Sequence, residues 1–500
     1  MSILIPILLP LVTACFIQIL GRLGLDKARD GLHTIMAAVT FYYVSLLVPD
    51  VLSGNAEHLR FHVVEMFPNA PIMFKVEPLG MLFALVASGL WIPTSMYGFG
   101  YMRGKDPSIN GHDQDSQTRF FTCFAMAISF AIGVAFSGNL LTLFCFYEAL
   151  TFSTFPLVAH YQDAEAKRSG RIYLGILVST SVCLLLSGIL GVWYLTGQME
   201  FQVGGILQGD LKDDPWTVSF LLALFAFGTA KAALLPFHKW LPNAMVAPTP
   251  VSALLHAVAV VKAGVFTVLK VVVYVFGFDL LNATDSNWWL MAVAAATILF
   301  SSCVALTKDN LKARLAYSTI SQLAYIVLGA AMANPVAAMG AALHILMHAV
   351  GKITLFFCAG AIYIVTHKKY ISKLDGIGYK MPWTMGAFTI ASFSIIGLPP
   401  FGGAWSKWFL GLGALEAEGL FYMATFMVSS LLSIGYLMPI VARAYFRKPV
   451  DGDLKPLKEP LLLTLPLCLT AVGCIGLFIA PDFFYALLSN VFNTISEVKQ

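Results

Sequence analysis

Long apolar stretches dominate this chain, and they restrict its possible folds more tightly than any other feature. A helix needs about 20 apolar residues to cross the hydrocarbon core of a bilayer. Fourteen stretches approach or exceed that length, with approximate limits 2–21, 31–52, 79–102, 119–137, 139–161, 170–197, 215–236, 249–275, 287–306, 311–333, 335–366, 384–411, 418–442 and 460–489. With 58% apolar and 12% charged residues, the composition is typical of a polytopic membrane protein. We therefore predict an all-α fold of about 14 transmembrane helices.

Lysine and arginine are distributed unevenly over the loops between these stretches. Loops after odd-numbered spans hold 22 of the 31 basic residues, whereas loops after even-numbered spans and the tail hold only Arg60, Lys75, Lys212 and Lys499. Cytoplasmic loops carry an excess of basic residues. The pattern therefore predicts odd loops in the cytoplasm and both termini on the outer side of the cell inner (plasma) membrane.

Composition and cysteine spacing exclude several classes of site. The net charge of +4 does not indicate nucleic-acid binding, because the basic residues are spread over many short loops. The eight cysteines form no CxxC or Cys/His cluster, so we expect no disulfide, iron–sulfur cluster or zinc. Neither a Walker nor a Rossmann pattern is present, and we expect no cofactor and no metal.

Five lysines and one glutamate lie well inside the predicted spans: Lys231, Lys262, Lys270, Lys352, Lys407 and Glu148. A charge at bilayer depth costs about 2.5 kcal/mol or more, so it is retained where it faces a protein interior or a water-filled cavity. Ionisable groups distributed through a membrane domain are typical of a proton or cation path.

Proline interrupts two of the spans, each time close to one of these lysines. Pro236 follows Lys231 in the seventh span, and Pro399 and Pro400 precede Lys407 in the twelfth. Proline removes a backbone donor, and in lipid the freed carbonyls find partners where they line a cavity. We therefore predict that helices 7 and 12 are discontinuous. A simple packing kink remains the alternative.

The two interrupted spans lie five spans apart, which is an odd offset, so two five-helix units would be inverted relative to each other. Discontinuous helices in inverted repeats are typical of transporters. We expect four segments: helices 1–3 in residues 1–118, a first repeat of helices 4–8 in 119–275, a second repeat of helices 9–13 in 287–442, and a loop with helix 14 in 443–500.

Several motifs resemble one family. They are Asn139-Leu-Leu-Thr-Leu-Phe-Cys-Phe-Tyr-Glu148, Ala230-Lys231-Ala-Ala-Leu-Leu-Pro-Phe-His-Lys-Trp, Ala247-Pro-Thr-Pro-Val-Ser-Ala-Leu-Leu-His256, Leu343-His344-Ile-Leu-Met-His348-Ala-Val-Gly-Lys352 and Gly397-Leu-Pro-Pro-Phe-Gly-Gly. They are similar to motifs of the antiporter-like proton-translocating subunits of respiratory complex I, membrane-bound hydrogenases and Mrp-type sodium/proton antiporters. The lysine at position 407 resembles the lysine-bearing members, such as the D-type subunit of Mrp antiporters.

The resemblance implies roles for the intramembrane residues. It implies that Glu148 pairs with Lys231 across two helices; a static buried ion pair is the alternative. Lys231 and Lys262 are the candidate proton carriers of the first half, because burial and a nearby charge make a lysine a switchable site. Snorkelling of the side chain is the alternative for Lys262, and Lys407 is the candidate terminal site. Lys270 lies near the outer end of its span, where snorkelling is the better interpretation.

His344, His348 and Lys352 follow one another at intervals of four residues, which places them along one helix face. Three titratable groups on one face favour a proton relay. A hydrogen bond to a neighbouring helix is the alternative for a single histidine, and for His256 both interpretations stay open. Hydroxyl groups such as those of Ser153, Ser318, Ser321 and Tyr325 would either hold water between these groups or bond neighbouring helices.

Two functions are compatible with this pattern. The first is a proton-translocating subunit of a multisubunit cation/proton antiporter, similar to the Mrp D-type subunit, that moves protons along the buried Lys/Glu/His chain. The second is a proton-pumping subunit of a redox-driven complex, such as a membrane-bound hydrogenase or the arm of complex I. In both, the expected partners are other membrane subunits, protons, possible sodium ions and the bilayer. A structural scaffold with vestigial charges is a weaker third alternative, because the chain has charged residues at all of the sites named above.

Overall fold

The computed structural model describes residues 3–54, 58–68, 70–103, 114–449 and 455–497. Within these ranges, eleven helices are long and apolar enough to cross a membrane. Two shorter apolar helices, Pro215–Gly228 and Pro382–Ile396, and the helix Leu311–Ala331 account for the remaining predicted spans. The all-α polytopic prediction is confirmed. Met1, Ser2, Lys105 and Lys499, which entered the span and loop predictions, lie outside the described residues.

The first part of the chain contains α1 (Leu4–Arg22), α2 (Asp26–Ser45), α3 (Val48–Leu52), α4 (Pro78–Met102), α5 (Gln114–Ala135), α6 (Leu140–Val158), α7 (Ala164–Thr180), α8 (Leu186–Thr196), α9 (Pro215–Gly228), α10 (Trp240–Asn243), α11 (Thr249–Ala253), α12 (Val260–Val271) and α13 (Phe278–Thr284). Wider π-helical turns, Ser181–Leu185, Leu254–Val258 and Val272–Phe276, lie between or after these helices.

The second part of the chain contains α14 (Trp288–Thr307), α15 (Leu311–Ala331), α16 (Pro335–Thr366), α17 (Ile377–Lys380), α18 (Pro382–Ile396), α19 (Gly403–Glu416), α20 (Leu420–Phe446), α21 (Leu461–Ile479) and α22 (Asp482–Glu497). The predicted span 460–489 therefore differs from the structure, which has two helices there. The chain leaves α21 at Ala480, and Pro481, which has no backbone N–H, precedes α22.

Several helices begin at a polar residue that caps the first turn. The capping side chains, which accept hydrogen bonds from backbone N–H groups two or three residues later, are Asn139, Asp163, Asp214, Asn310 and Asn334. First-turn N–H groups lack partners within the helix, so each cap stabilises a helix start by about 1 kcal/mol. The bonds from the Thr217 hydroxyl and backbone N–H also lower the pKa of Asp214.

The two proline interruptions are present, and the prediction that helices 7 and 12 are discontinuous is confirmed. After α9 ends at Gly228, the chain makes 3-10 turns at Ala230–Ala232 and Phe237–Lys239 before α10. Between α18 and α19 the chain is non-helical over residues 397–402. The division into repeats at the boundaries given above stays a prediction.

One hairpin interrupts the helical pattern. Strands β1 (Arg60–Phe67) and β2 (Ala70–Lys75) pair antiparallel, with Arg60 opposite Lys75. Both strands belong to the connection between α3 and α4. The hairpin lies against the interior, because the amide of Gly138 bonds to the carbonyl of Met73 and that of Lys75 to the carbonyl of Phe136.

Helices α12 and α16 form the centre of the molecule. Every residue of α12 is buried, and so is every residue of α16 from Ala337 to Ile362. α16 contacts α15, α18, α19 and α21, and α12 contacts both α15 and α16. The ionisable residues on α12 and α16 are therefore enclosed by protein and do not face lipid.

Candidate functional site

Lys231 lies in the turn that follows α9, and its ammonium group contacts Tyr147 of α6. The Nζ atom lies 2.5 Å from the Tyr147 carbonyl oxygen and 3.1 Å from the centre of its ring. In this turn the carbonyl of Ala230 accepts hydrogen bonds from the Ala233 amide and from the Trp240 indole, each at 2.9 Å. The interruption therefore holds a fully buried lysine without leaving that carbonyl unpaired.

Close packing of α12 fixes the position of this turn. A Cβ atom at Gly264 would lie 2.4 Å from both the carbonyl carbon of Lys231 and the amide nitrogen of Ala232. Only glycine allows this approach without a shift of the backbone. Gly264 therefore brings the Lys231 turn directly against the helix that carries Lys262.

Glu148 lies next to Tyr147 on α6, and both of its carboxylate oxygens are buried without a hydrogen-bond partner. Among the described residues, no ion pair within 4.0 Å joins it to Lys231, although the two groups interact electrostatically. The contact of Lys231 is with Tyr147 instead, a residue that the sequence analysis did not select. The coupling of Glu148 with Lys231 that the resemblance implies stays a prediction. In the structure the two charged groups are close enough to interact electrostatically but are not in direct contact.

Lys262 joins the two predicted repeats. Its Nζ atom lies 2.6 Å from Nδ1 of His348 on α16, and both side chains are buried. A fully buried ammonium group requires such a partner, because desolvation of the charge is costly. The snorkelling alternative for Lys262 does not apply to a side chain with no exposed surface.

The three residues spaced along α16 are all buried, and each has a different neighbour. His348 bonds Lys262; His344 bonds Ser406 of α19 at 2.8 Å and stacks on Tyr325 at 5.6 Å. The two histidine rings lie 5.8 Å apart. Lys352 donates to Ser318 of α15 at 2.7 Å. The face of α16 therefore connects α12 with α15 and α19.

A hydroxyl network extends from Lys352. The Ser318 hydroxyl donates to the phenol of Tyr436 at 2.8 Å, and that phenol lies 2.8 Å from the Ser433 hydroxyl. Of the four hydroxyl residues considered from sequence, Ser318 and Tyr325 lie beside lysines. Ser321 bonds Ser302 and Ser429, and Ser153 bonds only the Leu150 carbonyl of its own helix.

Lys407 lies in the second turn of α19, and its side chain reaches back to the second helix interruption. Its Nζ atom donates to the Ile396 carbonyl at 2.9 Å and to the Ser430 hydroxyl at 3.0 Å, and it lies 5.1 Å from the centre of the Tyr325 ring. The side of α19 next to the break is tightly packed, because a Cβ at Gly403 would lie 1.8 Å from the Ser394 carbonyl oxygen. Lys407 is only half-buried, unlike the other lysines of the site.

Lys270 differs from its sequence interpretation. It is completely buried, and its Nζ atom lies 3.2 Å from the carboxylate of Glu77 and 2.7 Å from the Ser137 carbonyl. The snorkelling interpretation is therefore wrong. The physical reason is the hairpin: β2 leads into Glu77 at the start of α4, which covers this end of α12 with an acid distant in sequence.

His256 is buried in the π-helical turn between α11 and α12, and neither ring nitrogen has a hydrogen-bond partner. Its ring lies 4.7 Å from that of Phe356. The interhelical hydrogen bond considered for His256 is therefore not formed with any residue that the structure describes, and the role of His256 stays open.

The site as a whole is a line of buried bases with few acids. The described contacts link Lys262 to His348 and Lys352 to Ser318, and electrostatic interactions link Lys352 to Lys407 and His344 to both Lys262 and Lys407. Because like charges at these separations repel in a poorly solvated interior, charge on one lysine opposes charge on the next. Such an arrangement suits the movement of a proton better than the permanent storage of several charges.

Comparisons with known proteins identify the family of the chain. Residues 137–433 match the model of the NADH:quinone oxidoreductase/Mrp antiporter transmembrane family. The chain is 30% identical over 488 residues to NADH-quinone oxidoreductase subunit N of Desulforudis audaxviator, covering 94% of this chain and 95% of that protein. It is 29% identical over 459 residues to the A/B subunit of a probable K(+)/H(+) antiporter of Rhizobium meliloti, covering 89% of this chain but 44% of that protein.

Solved structures show the same fold. The chain superposes with a TM-score of 0.84 on a chain of the membrane-bound sulfane sulfur reductase, an archaeal respiratory membrane complex, at 23% identity and with 99% and 97% of the two chains covered. The TM-score is also 0.84 with a chain of the Mrp complex from Dietzia sp. DQ12-45-1b, at 20% identity and with 100% and 99% covered. The chain belongs to the NADH:quinone oxidoreductase/Mrp antiporter family of transmembrane subunits.

Proposed function

We propose that the chain is a proton-translocating subunit of a multisubunit membrane complex. The observation that carries this proposal is the bond between Lys262 and His348, which links buried bases of the two predicted repeats at 2.6 Å. A lysine that faces an imidazole at this distance has a partner able to accept its proton. A buried cation with a purely structural role is more commonly paired with a carboxylate.

The proposed path runs from Glu148 and Lys231 through Lys262 to His348, with His344 and Lys352 beside it, and ends at Lys407. The Lys231 turn packs against α12, and Lys407 is the half-buried end. Where no direct bond joins two groups, water or rotation of a long side chain has to carry the proton. The helix interruptions at Pro236 and at Pro399 and Pro400 are the places where non-helical backbone can line a cavity that holds such water.

The lysine at position 407 supports a role similar to that of the Mrp D-type subunit within a cation/proton antiporter. In this proposal the chain moves protons, and the associated subunits determine whether sodium or another cation is exchanged. The curated antiporter relatives are themselves named as subunits, and the chain spans less than two thirds of their length. We therefore propose other membrane subunits as partners, in a plasma membrane with both termini outside.

A redox-driven complex is the second candidate. It is favoured by the match to NADH-quinone oxidoreductase subunit N, which covers nearly all of both proteins. The proton path would be the same, but the driving force would come from a redox partner. Mass spectrometry of the intact native complex separates the two candidates, since antiporter subunits and redox subunits would be identified directly.

The proton path itself is tested with Glu148→Gln. The change keeps the size of the side chain and removes its charge, so the complex is expected to assemble while proton transport in inverted vesicles is lost. Glu165→Gln, at an exposed acid in the first turn of α7, is the matched control and should transport normally. Normal proton flux in the assembled Glu148 variant would contradict the proposed path.

A further inference from the structure

A chain of alternating charges connects buried Lys270 with the surface beside the hairpin. We call it the hairpin ladder, and its members in order are Lys270, Glu77, Lys75, Glu200 and Arg60. Neighbouring members lie 3.2, 3.5, 3.8 and 3.2 Å apart. The exposed fractions of the side chains rise along it from 0% at Lys270 through 6%, 20% and 35% to 43% at Arg60.

The buried end of the ladder adjoins the proposed proton path. Lys270 and Lys262 are both on α12, eight residues apart, which corresponds to about 12 Å along the helix axis. The phenol of Tyr274, one turn beyond Lys270, is buried without a hydrogen-bond partner and interacts electrostatically with Glu77. A buried hydroxyl that interacts with a carboxylate and has no partner among the described residues is a place for ordered water.

The exposed end of the ladder opens into a cavity. Glu200 lines a cavity of about 940 Å³ together with His62, Met73, Asn139 and neighbouring residues of the hairpin and of the segment after α8. The far end of the α11–α12 segment, at Thr249, contacts Tyr101 at the other end of α4. The cavity is therefore at the end of α12 opposite to Thr249, on the side that the basic residues predict to be outside.

We propose that the hairpin ladder is a second proton port, which opens the first repeat to the hairpin side of the membrane. It rests on the proposed function, because a port is useful only to a chain that moves protons. In the outward step an N–H bond of the Lys270 ammonium breaks and an O–H bond forms on Glu77, leaving a neutral amine and a carboxylic acid. Glu77 then passes the proton to Glu200 or to water in the cavity, and the reverse sequence carries a proton inward.

A structural anchor for the hairpin is the competing explanation, and Lys270→Arg distinguishes the two. Arginine keeps the positive charge and can pair with Glu77, but it does not release its proton. For a port, the assembled Lys270→Arg variant should lose transport by at least about tenfold, since removal of a proton-transfer group costs about 100-fold or more in typical cases. For an anchor, it should transport like the wild type, which would overturn the proposal. Lys212→Arg, at an exposed lysine of an even-numbered loop, is the control.

A labelling experiment avoids any dependence on assembly of that variant. His62→Cys, on the exposed face of the hairpin and beside the cavity, is modified in intact cells with an impermeant cationic thiol reagent before inverted vesicles are prepared. A fixed cation at the mouth of the port should slow transport several-fold. His58→Cys, exposed on the same side but outside the cavity lining, should show no effect when labelled. Equal transport by the two labelled variants would overturn the proposal.

The same vesicles separate failure of the port from failure of the proposed function. Glu148→Gln and Lys407→Arg are measured alongside Lys270→Arg. If the first two stop transport while Lys270→Arg and labelled His62→Cys transport normally, the port is excluded and the proposed function stands. If all variants transport normally, the proposed function itself fails.

Discussion

Replacement of His348 with alanine tests the contact between the two predicted repeats. Lys262 has no exposed surface, and His348 is the side chain to which it bonds in the described part of the chain. A hydrogen bond to a charged group contributes about 1.5–3 kcal/mol. Its loss would reduce the charged population of Lys262 by about 10- to 150-fold, because 1.4 kcal/mol corresponds to a factor of about 10.

If the proton passes through charged Lys262, transport by His348→Ala should fall by at least about tenfold. The assay is dye-based proton transport in inverted vesicles, normalised to the amount of complex on native gels. His58→Ala, at an exposed histidine before β1 and outside the cavity lining, is the matched control and should transport normally.

A double variant separates transport from stability. Removing His348 alone leaves a buried cation unpaired, which can cost about 3–5 kcal/mol and reduce assembly. Lys262→Met combined with His348→Ala removes the charge as well, so assembly should recover while transport stays absent. Transport at the wild-type rate by assembled His348→Ala would refute the reasoning, because the bond between Lys262 and His348 would then not be part of the proton path.

Two further predictions concern packing and topology. Gly403→Ala should destabilise the complex and reduce its assembly, because a Cβ there would lie 1.8 Å from the Ser394 carbonyl oxygen and overpacking costs about 1–3 kcal/mol. Gly411→Ala, on the same helix, is the control and should assemble normally, because a Cβ there would have nothing within 4 Å. Equal assembly of the two variants on native gels would contradict the packing argument. Cysteines at Asp163 or Lys369 should need a membrane-permeant reagent for labelling from outside, whereas a cysteine at Glu65 should not; the reverse pattern would overturn the orientation.

The spans and their interruptions could be predicted from the sequence, because they depend on local properties of the chain. Apolar length places a helix in the membrane, and proline removes a donor wherever it occurs, so Pro236 and Pro399 marked both breaks. The split between α21 and α22 carried the same signal at Pro481, but the apolar stretch continued across it. A single proline near the end of a span is weak evidence for a helix break when the hydropathy of the sequence does not change there.

The partners of the buried residues could not be predicted from the sequence, because they come from distant parts of the chain. The bond between Lys262 and His348 joins residues 86 positions apart, and nothing in either local pattern identifies the other. Glu77 precedes the third predicted span by two residues, so its position in the sequence does not indicate a buried partner for a lysine. Only the folded hairpin shows that it covers Lys270.

The most direct test of the central claim is proton transport by assembled Lys407→Arg, compared with Lys407→Ala. Arginine preserves the charge beside Ser430 and Ile396 but stays protonated under nearly all conditions, so a group that must release a proton fails in both variants. Lys239→Arg, at an exposed lysine, is the control and should transport normally. The account predicts that both Lys407 variants assemble and neither transports. Transport by Lys407→Arg at the wild-type rate would contradict it, because Lys407 would then be a fixed charge and not a proton carrier.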